Sequence, residues 1–229
     1  MKIKQLNKEN GGVEWNGEVA PFEGYQHHDG LWFQNNLHVT YKPLAVEIYD
    51  NIIKPNKIKS VLELGSGAGS LAFFLRELSN NELLVITLDG NKDTVNSPYV
   101  EKDNHFIVRT DRDYQLVDDN ENTIIFDLVI SFEHFEHIVD GENFNIFLKN
   151  IKKHINKETI LFCTGSLSTT SGGVMSGFHW HPNVKSYEEW NKYLNENGFE
   201  LEKTCHLKDE NCPFNFGVGG TNELFFRLR

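Results

Sequence analysis

The chain has 229 residues, of which 39% are hydrophobic and 24% are charged, as expected for one globular α/β domain with additions. Its formal net charge of −11 disfavours a nucleic-acid substrate, because contact with a phosphate backbone usually requires clustered lysines and arginines. The cysteines form no C-x-x-C pair, and no apolar run approaches the roughly 18 residues of a membrane span. With the polar start of the chain, these features predict a cytoplasmic protein without disulfides, structural zinc or a membrane anchor.

Residues 1–42 are dense in aromatic side chains, and we treat them as an N-terminal extension that either packs against the edge of the sheet or folds over the site as a lid. The main domain is expected to span residues 43–229. It begins with a helix over 43–54, where Leu44, Ile48 and Ile52 form one apolar stripe. Pro43 suits the first turn of this helix, and Pro55 is expected to end it.

Apolar runs then predict strands at about 60–65, 83–88, 105–108, 126–131, 159–163, 199–204 and 223–228. Helices are predicted near 69–79 and 141–155, and a third after the capping box formed by Ser186 and Glu189, ending at Gly198. Alternating strands and helices predict a parallel sheet with right-handed crossovers. Because no helix separates the last two strands, they are predicted to form a hairpin with one antiparallel strand.

The most informative segment joins the first main-domain strand to its helix and reads Glu63-Leu64-Gly65-Ser66-Gly67-Ala68-Gly69-Ser70. Glycine allows a backbone to turn tightly and to approach a ligand closely. A dinucleotide fingerprint would need Gly or Ala where Ser70 stands, and a Walker loop would need a Gly-Lys-Ser/Thr ending. The spacing therefore disfavours both of these ligand classes, although an ordinary glycine-rich turn would have the same pattern.

A second motif follows the fourth strand, where Phe126-Asp127-Leu128-Val129-Ile130-Ser131 leads into Phe132-Glu133-His134-Phe135-Glu136-His137. On a helical turn, His134 and His137 would share a face. An imidazole with an ordinary pKa of about 6.5 suits a general base at neutral pH. Alternatively, Glu136 and His137 cap the following helix and hold the loop in place.

Together, these motifs resemble those of the Rossmann-like (class I) methyltransferases of small molecules, which use S-adenosyl-L-methionine (SAM). The resemblance implies an α/β fold with a doubly wound, seven-stranded, mostly parallel sheet and a terminal antiparallel hairpin strand. It also implies that the methionine part of SAM lies against the glycine turn and the end of the fourth strand, at Glu63, Gly65, Gly67, Gly69, Ser131 and Phe132. Asp89, after the second strand, would bind the ribose hydroxyls, although an Asp before Gly90 is also a common turn residue.

In the same family, an Asp after the third strand binds the adenine amino group. Asp111 matches this position best, and Asp113 is a rival. A histidine just before the Ser-x-x-Glu helix start often faces the acceptor pocket in these enzymes, which here indicates His181 and, second, His179. A His-x-His pair could also bind a metal ion, but no familiar spacing of further ligands completes such a site.

The resulting prediction is methyl transfer from SAM to a small-molecule or sugar-like acceptor, most readily at oxygen. His134, His137 and His181 are the candidate bases. The Asp-Ala-Asp pattern of metal-dependent catechol-type enzymes is absent from the sequence, so a metal-free mechanism is expected. The alternatives are a non-catalytic regulatory protein that binds SAM or a nucleotide and, disfavoured by Ser70, a nicotinamide-dependent oxidoreductase.

Overall fold

A computed structural model of the chain describes residues 4–6, 38–132, 134–138, 141–166, 183, 185–206 and 223–228. The strands in chain order are β1 (Lys4–Leu6), β2 (Ser60–Leu64), β3 (Leu84–Asp89), β4 (His105–Ile107), β5 (Gln115–Val117), β6 (Leu128–Ser131), β7 (Ile160–Ser166), β8 (Leu201–His206) and β9 (Glu223–Leu228). The main helices are α1 (His38–Ile48), α2 (Ser70–Leu78), α3 (Glu142–Lys153) and α4 (Tyr187–Glu196). Short 3₁₀ turns cover Lys92–Asn96, Lys102–Asn104 and Phe135–His137.

The main sheet has seven strands in the order β4-β3-β2-β6-β7-β9-β8. The pairs from β4 through β7 are parallel, whereas β9 pairs antiparallel with both β7 and β8. The predicted fold class is therefore confirmed, including the terminal hairpin with one antiparallel strand. The order reverses at β2, which lies between β3 and β6 and forms the switch point of the sheet.

Alternating strand residues bury the two faces of the sheet in separate clusters. One cluster joins Val61, Val85 and Ile130 to apolar side chains of α1 and α2. The other joins Leu62 and Val129 to apolar side chains of α3 and α4, with Phe144, Phe147 and Trp190 among its largest members. Because both faces are covered by helices, the strands read as nearly continuous apolar runs. That pattern made them readable from the sequence.

The first helix differs from its prediction at both ends. It begins at His38, so Pro43 lies inside it, and it continues through a π-helical segment, Tyr49–Ile53, and a last turn, Lys54–Asn56. The backbone N–H of Lys54 donates to the carbonyl oxygen of Tyr49, five residues earlier. A widened turn relieves the clash between a proline ring and the carbonyl four residues before it, so Pro55 is accommodated without ending the helix.

A smaller feature outside the main sheet is absent from the sequence prediction. Strand β1 pairs antiparallel with β5, and Lys4 lies opposite Val117. Part of the N-terminal extension is thus joined to the segment that follows β4, whereas the remainder of 1–37 lies outside the described residues. Within the described part of the chain, no helix combines the length and the apolar character needed to cross a bilayer.

Candidate functional site

The predicted site residues converge where the carboxyl ends of β2, β3 and β6 meet. Parallel pairing sets Glu63 of β2 opposite Thr87 of β3 and Ile130 of β6. The segments that follow these strands therefore leave the sheet at one edge, beside the switch point. In open α/β sheets, ligands bind in the crevice at this position.

The glycine segment adopts a backbone that only glycine accepts readily. Gly65, Gly67 and Gly69 have φ values of 70°, 52° and 78°, all in the left-handed region. The N–H groups of Gly65 and Ser66 both donate to the carbonyl oxygen of Leu88, at 2.8 and 3.1 Å. The turn is thus held against the end of β3, and α2 begins directly after Gly69.

Asp89 fastens the same turn from the end of β3. Its Oδ2 accepts a hydrogen bond from Gly67 N–H at 2.7 Å, and its Oδ1 accepts one from Asn91 N–H at 2.7 Å. Burial raises the pKa of this carboxyl, and those two N–H groups oppose the rise. Each carboxylate oxygen keeps a lone pair for a ligand hydroxyl.

Glu63 is buried just before the glycine turn. Burial raises the pKa of its carboxyl to about 8, against smaller opposing effects of the Arg76 guanidinium and the Ala72 N–H. The nearby Asp89 carboxylate adds to the rise. The carboxyl is therefore mostly protonated at neutral pH. A cationic ligand group beside it would stabilise its ionised form.

The structure distinguishes the two aspartates that follow β4. Asp111 is buried and accepts a bidentate pair from Arg109, at 3.1 Å from Nε to Oδ1 and 2.8 Å from Nη2 to Oδ2. Asp113, by contrast, forms an ion pair with Lys153, and its side chain is 43% exposed. Only Asp111 combines the burial and the fixed orientation that recognition of a ligand requires.

A residue that the sequence analysis missed holds the loop that carries Asp111. Asn150 of α3 is fully buried, and its Nδ2 donates to the carbonyl oxygens of Thr110 and Arg112, at 3.0 and 2.5 Å. Its Oδ1 accepts from Lys153 Nζ at 2.9 Å and from Tyr114 N–H at 3.4 Å. The amide thus binds the loop at three points. A lone Asn on an otherwise apolar helix face was the signal available in the sequence.

His134 lies between the glycine turn and the loop of Asp111. Its Nε2 is 2.7 Å from Oγ1 of Thr110, and its ring packs edge-on against Phe147. A Cβ built on Gly65 would lie 2.3 Å from Cγ of His134, so the imidazole rests directly on this glycine. Burial lowers the pKa of His134 to about 4, against a smaller opposing effect of Asp111. The ring is therefore neutral at physiological pH.

The remaining predicted residues lie on the same turn or near it. Ser131 Oγ donates to the carbonyl oxygen of Leu64 at 3.4 Å, and the Phe132 ring packs edge-on against Phe162. His137 ends the 3₁₀ turn, and its backbone N–H donates to the carbonyl oxygen of His134 at 3.0 Å. His134 and His137 thus belong to one tight turn of the backbone.

His181 and His179 lie outside the described residues, as does most of the segment after β7. Asn183, two residues after His181, is described and buried. Its N–H donates to the carbonyl oxygen of Glu136 at 3.2 Å, and its Nδ2 donates to that of Phe135 at 3.3 Å. Asn183 is therefore bound to the turn that carries His137.

Several polar atoms at this edge are buried without a hydrogen-bond partner among the described residues: Glu63 Oε2, Ser66 Oγ and His134 Nδ1. Each such atom costs about 1–3 kcal/mol unless a ligand or water meets it. A ligand with an ammonium group and several polar atoms, such as SAM, fits this set of groups. Across the described residues, no cluster of His, Cys, Asp and Glu side chains has the arrangement of a metal site.

Comparison with known proteins agrees with this geometry. The family model described as "Methyltransferase domain" matches residues 41–204 of this chain. No curated protein sequence matches the chain. A S-adenosylmethionine-dependent methyltransferase from Clostridium acetobutylicum has a similar structure, with a TM-score of 0.62 and 11% identity over 90% of this chain and 98% of that one.

Two further solved structures are also similar. The glycopeptide N-methyltransferase MtfA, complexed with SAM, has a TM-score of 0.56 and 10% identity over 82% of this chain and 92% of its own. The mitomycin 7-O-methyltransferase MmcR has a TM-score of 0.55 and 14% identity over 84% of this chain, which spans only 53% of MmcR. The family match covers most of the chain, and the sheet has the predicted seven strands, mostly parallel pairing and antiparallel ending. The chain therefore belongs to the methyltransferase domain family and is a class I SAM-dependent methyltransferase.

Proposed function

We propose that this enzyme transfers the methyl group of SAM to a small-molecule or sugar-like acceptor, at an oxygen atom and without a metal ion. The observation that carries the proposal is the convergence of the glycine turn, Asp89, Asp111 and the His134–His137 turn at one edge of the sheet. Cofactor-binding groups and candidate bases thus lie on segments that leave the same edge of the sheet.

We assign the cofactor residues as follows. Gly65, Gly67 and Gly69 let the backbone pass along the methionine part, and Glu63 lies near the amino group. The buried, partly protonated carboxyl of Glu63 supports this role, because an ammonium group would stabilise its ionised form.

The rest of the cofactor would be bound by neighbouring segments. The backbone at Ser131 and Phe132 lies beside the methionine part. Asp89 binds the ribose hydroxyls, and Asp111 binds the adenine amino group. The fixed orientation of both carboxylates supports these assignments.

The cofactor supplies a methyl group already activated on a sulfonium centre, so the protein must align the acceptor and remove its proton. An acceptor hydroxyl loses its proton to an imidazole while its oxygen forms the new bond to carbon. The carbon–sulfur bond breaks and leaves S-adenosylhomocysteine (SAH). Among the three histidines predicted from the sequence, we favour His137 and His181 as this base.

Two observations support that choice. Nε2 of His134 is hydrogen-bonded to Thr110, and burial lowers the pKa of this imidazole to about 4, which makes it a weak proton acceptor. Asn183, two residues after His181 in the sequence, is bound to the Phe135–His137 turn, which supports the inclusion of His181 beside His137.

We also propose that residues 1–42 form an extension on the cofactor side of a methyltransferase domain spanning residues 43–229. The pairing of β1 with β5 supports a position on the cofactor side, because β5 begins four residues after Asp111. The predicted role of the aromatic residues of this extension as a lid remains part of the same proposal.

Methyl transfer is tested with SAM radiolabelled in its methyl group and fractionated small-molecule extracts, first with the wild-type protein. We expect label in a small molecule, undiminished by EDTA and lost by at least 100-fold in His137→Gln or in His181→Gln. Asp113→Asn is the matched control, because this exposed side chain pairs with Lys153. Full transfer rates in both histidine variants would contradict the base assignment, and label found only in protein or RNA would contradict the acceptor class.

A further inference from the structure

The His134 side chain joins three segments of the cofactor crevice that are far apart in sequence. It belongs to the turn after β6, rests on Gly65 of the glycine turn, and contacts Thr110 of the loop that follows β4. Asn150 holds that same loop from α3. An imidazole held between these two segments has a fixed position, which is the condition for a side chain that recognises a ligand.

One ring atom of His134 is left without a partner in this arrangement. Nε2 is bound to Thr110, whereas Nδ1 is buried and has no hydrogen-bond partner within the described part of the chain. A Cβ on Gly65 would lie 2.4 Å from this Nδ1, so Nδ1 faces the backbone of the glycine turn. Nδ1 is therefore an unpaired polar atom in contact with the turn against which the proposed cofactor site sets the methionine part.

We propose that His134 recognises the amino acid end of the cofactor through Nδ1, and so sets the affinity for SAM and SAH without acting as the base. The proposal rests on the proposed cofactor site, in which the methionine part lies against Gly65. The polar groups at that end of the ligand are an ammonium and a carboxylate. A neutral imidazole meets either one, as an acceptor or as a donor, depending on its tautomer.

Two substitutions separate the two ring nitrogens. The amide of Asn occupies nearly the position of Nδ1, so His134→Asn keeps a polar atom beside Gly65 and loses the contact with Thr110. The longer side chain of Gln reaches the position of Nε2, so His134→Gln keeps the contact with Thr110 and removes the group beside Gly65. Both variants carry a neutral amide, and they differ mainly in its position.

Two ligands distinguish contacts to the amino acid end of the cofactor from contacts to its nucleoside. Calorimetry would measure the binding of SAH and of 5′-methylthioadenosine, which has the same nucleoside and lacks the amino acid end. We expect His134→Gln to bind SAH about tenfold more weakly than wild type, the loss of one hydrogen bond to a charged group. His134→Asn is expected to stay within about threefold of wild type. Both variants should bind 5′-methylthioadenosine like wild type, which also shows that they are folded.

Other outcomes overturn the proposal. Equal affinity of wild type and His134→Gln for SAH would show that Nδ1 makes no useful contact. Equal losses for SAH and 5′-methylthioadenosine would show that His134 only supports the fold of the crevice. A wild-type protein that binds neither ligand would overturn the proposed cofactor site itself, which distinguishes that failure from failure of the role of His134.

Discussion

His134 and His154 are two buried histidines in different regions of this protein. Both have a lowered pKa, but only His154 has hydrogen-bond partners for both ring nitrogens among the described residues. Burial lowers the pKa of both His134 and His154 to about 4. At His154, Nδ1 is 2.9 Å from the carbonyl oxygen of Ile124, and Nε2 accepts from the N–H of Leu116 at 3.2 Å. With both nitrogens bound, His154 ties the β5 segment to the end of α3.

Around His134, by contrast, several buried polar atoms lack hydrogen-bond partners. Nδ1 of His134 has no partner among the described residues, and neither do Ser66 Oγ and Glu63 Oε2. Because buried polar groups in folded proteins are nearly always satisfied, a ligand or an ordered water is expected to meet these three atoms. The lowered pKa alone does not distinguish the two histidines. The hydrogen-bond partners of their ring nitrogens do.

The strongest test of the His134 region is Gly65→Ala. The added methyl group would have to occupy a left-handed backbone, with a φ of 70°, and would lie 2.3 Å from Cγ of His134. We expect SAH affinity to fall by about 1,000-fold or more, which corresponds to about 4 kcal/mol. Calorimetric titration measures this change.

Gly141→Ala is the matched control for Gly65→Ala. Gly141 has a similar φ of 79°, but a Cβ there would meet nothing within 4 Å. Its strain should lower the melting temperature without changing SAH affinity by more than about twofold. If both variants lost SAH binding equally, backbone strain alone would explain the loss, and the contact with His134 would be irrelevant.

His154→Ala should lower stability and leave SAH affinity nearly unchanged. Removal of this ring leaves the Leu116 N–H and the Ile124 carbonyl without partners and removes the stacking on Tyr114, whose ring centroid is 5.9 Å away. We expect the free energy of unfolding to fall by about 3 kcal/mol, measured by urea denaturation. Well below the unfolding transition, SAH affinity should stay within about threefold of wild type. A much larger loss of affinity would mean that this region also serves the ligand.

The contrast between these regions also explains what the sequence could reveal. The strands were predictable because alternate residues pack on two helix-covered faces, as Leu62 and Val61 do. The glycine turn was predictable because its backbone requires glycine at alternate positions. Both features are local, and a local pattern is all that a single sequence provides.

The missed features depend on pairs that are distant in the chain. Asn150 reaches Thr110 across 40 residues, and His134 reaches Thr110 across 24. No periodicity encodes such contacts, so the sequence could name His134 and could not assign its partner. The pairing of β1 with β5 was missed for the same reason, because a strand of three residues has too short a pattern to detect.

Glu63→Gln tests the charge state of the buried carboxyl beside the glycine turn. The folded pKa of about 8 lies above the ordinary value of 4.5, so the stabilising contribution of the protonated carboxyl is complete below pH 4.5 and is lost as the pH rises through 8. Relative to Glu63→Gln, wild type should therefore lose about 4 kcal/mol of unfolding free energy between pH 5 and pH 9.

The comparison of urea denaturation at the two pH values checks this sign. Glu82→Gln, which removes an exposed carboxylate after α2, serves as the control and should show no such pH-dependent difference. SAH at saturating concentration should reduce the difference for Glu63, because its ammonium group would stabilise the ionised carboxylate. An identical pH dependence in wild type and Glu63→Gln would mean that Glu63 ionises normally in the folded protein.

The smallest expected effect concerns the adenine end, where Asp111 and Asp113 can be compared directly. A carboxylate that accepts a hydrogen bond from the adenine amino group should prefer SAH over S-inosylhomocysteine, which has an oxygen in place of that amino group. We expect wild type to bind SAH about tenfold more tightly than the inosine analogue, as one hydrogen bond to a charged group would give.

Asp111→Asn should abolish that preference, because the Asn amide donates to the inosine oxygen as readily as it accepts from the adenine amino group. Asp113→Asn should retain the full preference, because its side chain is turned toward Lys153. A loss of SAH affinity in Asp111→Asn with the preference intact would mean that Asp111 acts only by fixing Arg109. A change in the preference for adenine over hypoxanthine would show that Asp111 contacts the base, whereas a uniform loss of affinity would show that it only holds the loop. The substitutions at His134 make the same distinction, because Nδ1 is the proposed ligand contact and Nε2 binds Thr110.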